Sequence, residues 1–196
     1  MRLIDVTSSL VVLVDYQPKL MAAIHDGAQV LAQARRLTEV AATLSVPVMG
    51  TQQNPDRLGA LDAPLAEACD RVLDKMTFDS CGSGLLEAVG ELVSTRAGVE
   101  PGSPGTRDRR TSLDLVMAGC EAHVCLLQTA LTAASEGHRV WVVQDACGSR
   151  NPASHQLAMD RLRDAGIRVV NVEMVAFEWL RTAEHRRFRA VQALIK

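Results

Sequence analysis

A three-layer α/β/α domain on a six-stranded, mainly parallel sheet is the fold class this sequence predicts. Two observations carry that reading. Apolar runs such as "SLVVLVD" (Ser9 to Asp15), rich in β-branched residues, and "LDLVMAG" (Leu113 to Gly119) are continuous and not alternating, as in strands buried on both faces. They alternate with segments whose apolar residues recur at helical spacing, which implies parallel βαβ units, helices on both faces and right-handed crossovers. The 196 residues suit one domain spanning 1–196.

The elements follow in order. Ser9 to Asp15 is the first strand. Ala34, Leu37, Ala41 and Leu44 mark a helix that begins near Val30. "VPVMGTQ" (Val46 to Gln52) and "DRVLDK" (Asp70 to Lys75) are the second and third strands. Gly84 opens a helix carrying Leu85, Val89 and Leu92 on one face. "GSGLLE" is only a truncated glycine fingerprint, so a helix start is the better reading than a nucleotide site. "STRAGVEPGSPGTRDRR" (Ser94 to Arg110), rich in Gly, Pro, Ser and charge, predicts a mobile loop inserted within the domain. The fourth strand ends in Gly119, and Leu127, Leu131 and Ala134 mark the helix after it. "HRVWVVQDA" (His138 to Ala146) is the fifth strand. A helix with Ala158, Leu162 and Ala165 closes at Gly166. "IRVVNV" (Ile167 to Val172) is the sixth strand, and "FRAVQALIK" ends the chain as a helix.

Composition narrows the function classes. Hydrophobic content is 47% and the formal net charge −2, an ordinary globular balance that points to neither nucleic acid nor an anionic membrane. The basic clusters Arg107 to Arg110 and His185 to Arg189 read as solvated faces. The chain lacks a signal-peptide pattern or a spanning apolar stretch, so a cytoplasmic location is expected. Five cysteines at irregular spacing argue against a disulfide framework.

Sites in such sheets lie beyond the carboxyl ends of the strands. Asp15, Lys75 and the turn from Cys120 to Cys125 all fall there. Cys125 begins a helix, where unpaired N–H groups and the dipole favour thiolate and can hold an oxyanion. A buried structural cysteine is the competing reading. Asp15 and Lys75 supply a proton acceptor and a positive charge, or equally a plain ion pair. Gln17, Gln53 and Phe78 are candidate lining of a substrate pocket. His123, two residues from Cys125, does not face it on a helix.

"VVLVDYQPKLM", "DKMTFDSC" and "GCEAHVCLLQTALTAASEGHRVWVVQDACGSR" resemble the isochorismatase-like cysteine hydrolases. "TQQNPDRLG" and "HRRFRAVQALIK" look closer still to the isochorismatase domain-containing subgroup. The resemblance implies a Rossmann-like fold and a catalytic triad of Asp15, Lys75 and Cys125. It also implies a cis peptide at Cys120–Glu121 and an oxyanion hole made by the N–H groups of Glu121 and Cys125. The chain departs from the family at several points. "GTQQNPDRLG" lacks the histidine of the nicotinamidase metal motif, and Glu121, His123 and Cys125 match no familiar ligand spacing, so neither metal nor cofactor is expected. Gln52 stands where the subgroup usually carries an acid, and Asp79 and Cys81 also differ.

The resulting expectation is a metal-independent hydrolase of a small amide or related C–N bond, acting through a thioester on Cys125. Its partners would be a small-molecule substrate and further copies of itself, with no nucleic acid and no membrane. Self-association is expected through helix faces near the termini, where "VEMVAFEWL" (Val172 to Leu180) is apolar beyond the needs of one sheet face. Two rivals stay open: vinyl-ether hydrolysis, in which Asp15 is the acid and the thiol is dispensable, and a catalytically silent binding protein of the same fold.

Overall fold

A computed structural model of the chain describes residues 2–96 and 112–196. Six strands run β1 (Ser9–Val14), β2 (Val48–Gln53), β3 (Arg71–Lys75), β4 (Asp114–Gly119), β5 (Arg139–Val143) and β6 (Arg168–Val170). Among the described residues the helices are α1 (Pro18–Met21), α2 (Gly27–Thr43), α3 (Pro55–Leu58), α4 (Ala63–Ala68), α5 (Leu85–Arg96), α6 (Leu127–Ser135), α7 (Pro152–Asp164), α8 (Val172–Leu180) and α9 (Phe188–Ile195). The sheet order is β3-β2-β1-β4-β5-β6 and every pairing is parallel.

The apolar runs explain the arrangement. Every residue of β1 and of β4 is buried, because helices cover both faces of the central strands. β3 lies at the edge and reads differently: Arg71 and Asp74 are exposed, charges that discourage pairing with another chain. Helix α2 buries Val30, Ala34, Leu37, Val40 and Ala41, the face its spacing predicts. Asn151 and Asn171 start α7 and α8 by accepting the N–H groups of Ala153 and Met174. The buried side chains form a single hydrophobic cluster.

Some boundaries differ from the sequence reading. The fifth strand stops at Val143, and Gln144–Ala146 form a short 3-10 turn. The sixth strand keeps only Arg168–Val170. Ser94 to Arg96, assigned to the inserted loop, complete the last turn of α5, while 97–110, with the 107–110 basic cluster, lies outside the described residues. Arg186, Arg187 and Arg189 of the second basic cluster are exposed. In α8, Val172, Val175, Ala176, Trp179 and Leu180 are buried, so most of its apolar surface serves the core. No helix of the described residues is long and apolar enough to cross a membrane.

Strand order reverses between β1 and β4, which opens a crevice at their carboxyl ends. Gly119 closes the approach there: a Cβ on it would sit 2.5 Å from the Val14 carbonyl oxygen. The opposite edge is pinned by Asp114. Its Oδ1 accepts from Arg139 Nε at 2.7 Å and Trp141 Nε1 at 2.9 Å, and its Oδ2 from Ser8 Oγ at 2.7 Å. Burial alone would raise this carboxyl, but the hydrogen bonds from Arg139, Trp141 and Ser8 together hold it below the ordinary value.

A group depressed in the fold contributes stability above its unfolded pKa, about 3.9 for Asp, and loses it as pH falls through the folded value. Asp114→Asn should therefore cost about 2–3 kcal/mol in urea unfolding at neutral pH. The gap to wild type should narrow below about pH 4. A gap that stays constant down to pH 3 would contradict this account.

Candidate active site

The carboxyl ends of β1 to β4 deliver a buried polar cluster into an apolar core. Asp15 follows β1 with φ +58, a left-handed conformation that Asp tolerates better than most residues, and its side chain is fully buried. Lys75 ends β3, and its Nζ lies 2.6 Å from Asp15 Oδ2, with both side chains inaccessible to solvent. Thr51 Oγ1 donates to Asp15 Oδ1 at 2.8 Å. Among the described residues Asp15 Oδ2 has no hydrogen-bond partner, and the ammonium meets it as an ion pair. Lys75 Nζ also donates to Gln53 Oε1 at 2.6 Å and to the carbonyls of Thr77 at 3.2 Å and Phe78 at 3.4 Å.

Cys125 lies in one turn of π-helix, Ala122–Leu126, that runs directly into α6. Such turns recur at functional sites because they re-aim a side chain within a helix. The Glu121 carbonyl accepts the N–H groups of Val124 at 3.0 Å and Leu126 at 3.3 Å, and Gly148 anchors Ala122 from behind at 2.8 Å. The Cys120–Glu121 peptide is cis. Cys120 is fully buried and pairs in a parallel bridge with Gly148.

The Cys125 thiol is pushed up to about 12. Burial is the largest cause and the Asp15 charge the next, while the Lys75 charge and the Glu121 backbone N–H act the other way. The expectation of a thiolate at neutral pH is thus corrected: in the resting state desolvation and a facing carboxylate outweigh the helix start and the ammonium. Cys69, Cys81 and Cys147 are also raised to about 12 by burial first, and burial raises Cys120 as well.

The remaining candidates sit around this cluster. Gln17 is buried and its amide is spent on backbone: Nε2 donates to the Gln53 carbonyl at 3.0 Å, and Oε1 accepts the Gln53 N–H at 2.8 Å. Gln53 holds Lys75 and donates to the Met76 carbonyl at 2.8 Å. Phe78 and Met76 are 55% and 70% exposed beside Lys75, leaving an apolar lip there. Gln52 turns to Asp74 and to the Leu61 N–H. Glu121 pairs with Arg150 Nε at 2.8 Å, and His123 Nδ1 bonds Ser149 Oγ at 2.9 Å. Among the described residues no group of three or more His, Cys, Asp or Glu could hold a metal ion.

The isochorismatase domain matches residues 9–174. The chain belongs to the isochorismatase family. Isochorismatase domain-containing protein 2A of Mus musculus is 30% identical over 190 residues, covering 96% of this chain and 83% of that protein. Among solved structures, MAR1 ribonuclease from Caenorhabditis elegans superposes with a TM-score of 0.83 at 27% identity, over 99% of this chain and 92% of that one. The YcaC gene product of Escherichia coli, described as an octameric hydrolase of unknown specificity, shares the fold with a TM-score of 0.79 at 23% identity, over 98% of this chain and 88% of its own.

The family assignment points to a hydrolase, and the buried polar cluster includes a side chain that the sequence reading passed over. Thr51 is the partner it missed. The register of the sheet reveals it: parallel pairing sets Val14 opposite Thr51, and Asp15, just after β1, accepts from the Thr51 hydroxyl.

Iodoacetamide labelling of Cys125, followed by peptide mass, should be slow at pH 7 and rise above about pH 9, past the ordinary thiol range. Because the Asp15 charge raises the thiol, Asp15→Asn should move that profile to lower pH. An unchanged profile, or one moved upward, would show that this charge does not govern the thiol.

Proposed function

We propose that this chain is a metal-independent cysteine hydrolase that cleaves a small amide or related C–N bond through a thioester on Cys125. The observation that supports the reading best is the pairing of charges on one thiol. Asp15 and Lys75 form a fully buried ion pair, and both act on the Cys125 thiol.

The chemistry follows from that arrangement. A thiol near 12 is not ionised at neutral pH, so attack and proton transfer must be coupled. Asp15 Oδ2, without a hydrogen-bond donor, accepts the S–H proton while sulfur bonds the substrate carbonyl carbon. The N–H groups of Glu121 and Cys125 hold the oxyanion. Asp15 returns the proton to the departing nitrogen as the C–N bond breaks. It then takes a proton from water, which attacks the thioester, and the leaving thiolate is reprotonated. Lys75 keeps its proton throughout and offsets the negative charge shared by carboxylate and sulfur.

One observation favours a second reading. A thiol held neutral also suits vinyl-ether hydrolysis, in which Asp15 protonates carbon and Cys125 only packs. A screen of small amides, ureas and isochorismate separates the two. For an amide substrate, Cys125→Ala and Asp15→Asn should each lower kcat about 10³-fold or more, with the double variant no worse than the singles. Exhaustive EDTA treatment should leave wild-type activity in place. An intact-mass adduct that disappears in Cys125→Ala supports the thioester. Full activity in Cys125→Ala would favour the vinyl-ether route, and a binding effect without turnover a silent scaffold.

We also propose that the protein self-associates. Leu3, Met174 and Phe177 are 52%, 47% and 41% exposed and line a shared groove of about 470 Å³, rimmed by Glu173, Glu178 and Arg181. Apolar groups of this size concentrated on one face mark contact surfaces. Light scattering at micromolar concentration should give a mass above the 21.2 kDa of one chain. A monomer mass would count against it.

A further inference from the structure

Helix α6 carries a second buried polar group that the chemistry above does not use. Thr129 lies one turn beyond Cys125 and is fully buried, as is Ser80, which follows the Lys75 strand. Thr129 Oγ1 donates to the Cys125 carbonyl at 2.7 Å and accepts the Ser80 N–H at 3.0 Å, with Ser80 Oγ at 3.2 Å. A threonine hydroxyl that bonds back to the fourth preceding carbonyl is common in helices. One that also takes a backbone N–H from another segment ties the two segments at fixed distance.

The two segments are the ones that matter. The stretch between Lys75 and Ser80 supplies the Thr77 and Phe78 carbonyls that hold Lys75 Nζ. The hydrogen bonds therefore run in sequence from the Cys125 carbonyl through Thr129 to Ser80, back along that stretch to Lys75, and across the ion pair to Asp15. With the hydroxyl removed, the Cys125 carbonyl and the Ser80 N–H would each lose a partner inside the core, and the ammonium would lose the tie that ends directly on the turn carrying the thiol.

We infer that Thr129 is a positioning residue: its hydroxyl sets the separation between the Lys75 ammonium and the Cys125 thiol. The inference rests on the reading of Cys125 as nucleophile. Thr132 makes a neighbouring tie between the same segments, donating to Asp79 Oδ2 at 2.9 Å without touching Cys125, and so provides a control.

The test compares Thr129→Val, which keeps the shape and removes the hydroxyl, with Thr129→Ser, which keeps the hydroxyl. Thr129→Val should move the iodoacetamide labelling profile of Cys125 to higher pH, because the charge that lowers the thiol is no longer held near it. With an amide substrate it should lower kcat about 10- to 100-fold, the scale of a misplaced catalytic group, with KM within about twofold. Thr129→Ser should restore both readouts, and Thr132→Val should leave the labelling profile in place. A folded Thr129→Val with wild-type labelling and kcat overturns the inference. So does an equal shift in Thr132→Val, or a failure of Thr129→Ser to hold both readouts near wild type, which would show that the hydroxyl does not by itself set the position. Should Thr129→Val not fold, Thr129→Ala takes its place and must give the same shift. Labelling needs no substrate, so it reads the position of the thiol even if Cys125→Ala proves active and the nucleophile reading fails.

Discussion

The buried ion pair of Asp15 and Lys75 is the constraint around which the rest of this molecule is arranged. Taking two charges out of water costs several kcal/mol per ion even after relaxation, and their attraction offsets that cost only with good geometry and further hydrogen bonds. The surroundings supply those bonds one by one. Thr51 satisfies Asp15 Oδ1, while Gln53 and two carbonyls satisfy the ammonium. Gln53 is itself fixed by Gln17 and by the Met76 carbonyl. A buried glutamine that bonds only backbone, as Gln17 does, makes sense as the outermost layer of this support.

Register carries the constraint back to the strands. Parallel pairing puts Val14 opposite Thr51 and opposite Gly119, and Gln53 opposite Lys75. A slip of one residue would turn Lys75 to the other face of the sheet and leave Asp15 alone in the core. The amino edge guards against that slip. Asp114 joins β4 to Arg139 and Trp141 on β5 and to Ser8 before β1, so three strands are aligned at the end remote from the chemistry. Arg168 of β6 stacks over Trp141 at 4.6 Å and extends the alignment by one more strand.

Much of this was legible in the residues. Continuous β-branched runs marked the central strands, because a sheet covered on both faces leaves no polar alternation to obscure them. The ends of the strands showed where Asp15, Lys75 and Cys125 would meet. Strand ends were less legible: Gln144–Ala146, read as the end of the fifth strand, turn away from it, and Gly148 beyond them pairs with Cys120. Partners were least legible. Nothing in the pattern around Gln17 or Thr129 separates an amide or hydroxyl that binds substrate from one that binds backbone, because that depends on which strand lies beside it. The protonation state of Cys125 was misjudged for a related reason. Sequence position reports a helix start and a nearby lysine, but not how completely water is excluded.

The hydrogen-bond inventory of Lys75 limits what it can do. An ammonium has three protons, and three acceptors already take them: Gln53 and the Thr77 and Phe78 carbonyls, with Asp15 beside them as the ion-pair partner. No proton remains for a substrate carbonyl or carboxylate, so its influence on the reaction must be through charge and not through contact. Charge acts strongly here because the site is dry. In the resting state it only moderates the rise of the thiol that burial and Asp15 impose. In the proposed thioester route, transfer of the thiol proton to Asp15 would leave the carboxylate neutral, and the same positive charge would then face sulfur without competition. In the proposed route, burial and the Asp15 charge hold the thiol protonated at rest, and the transfer of that single proton is what would expose the nucleophile.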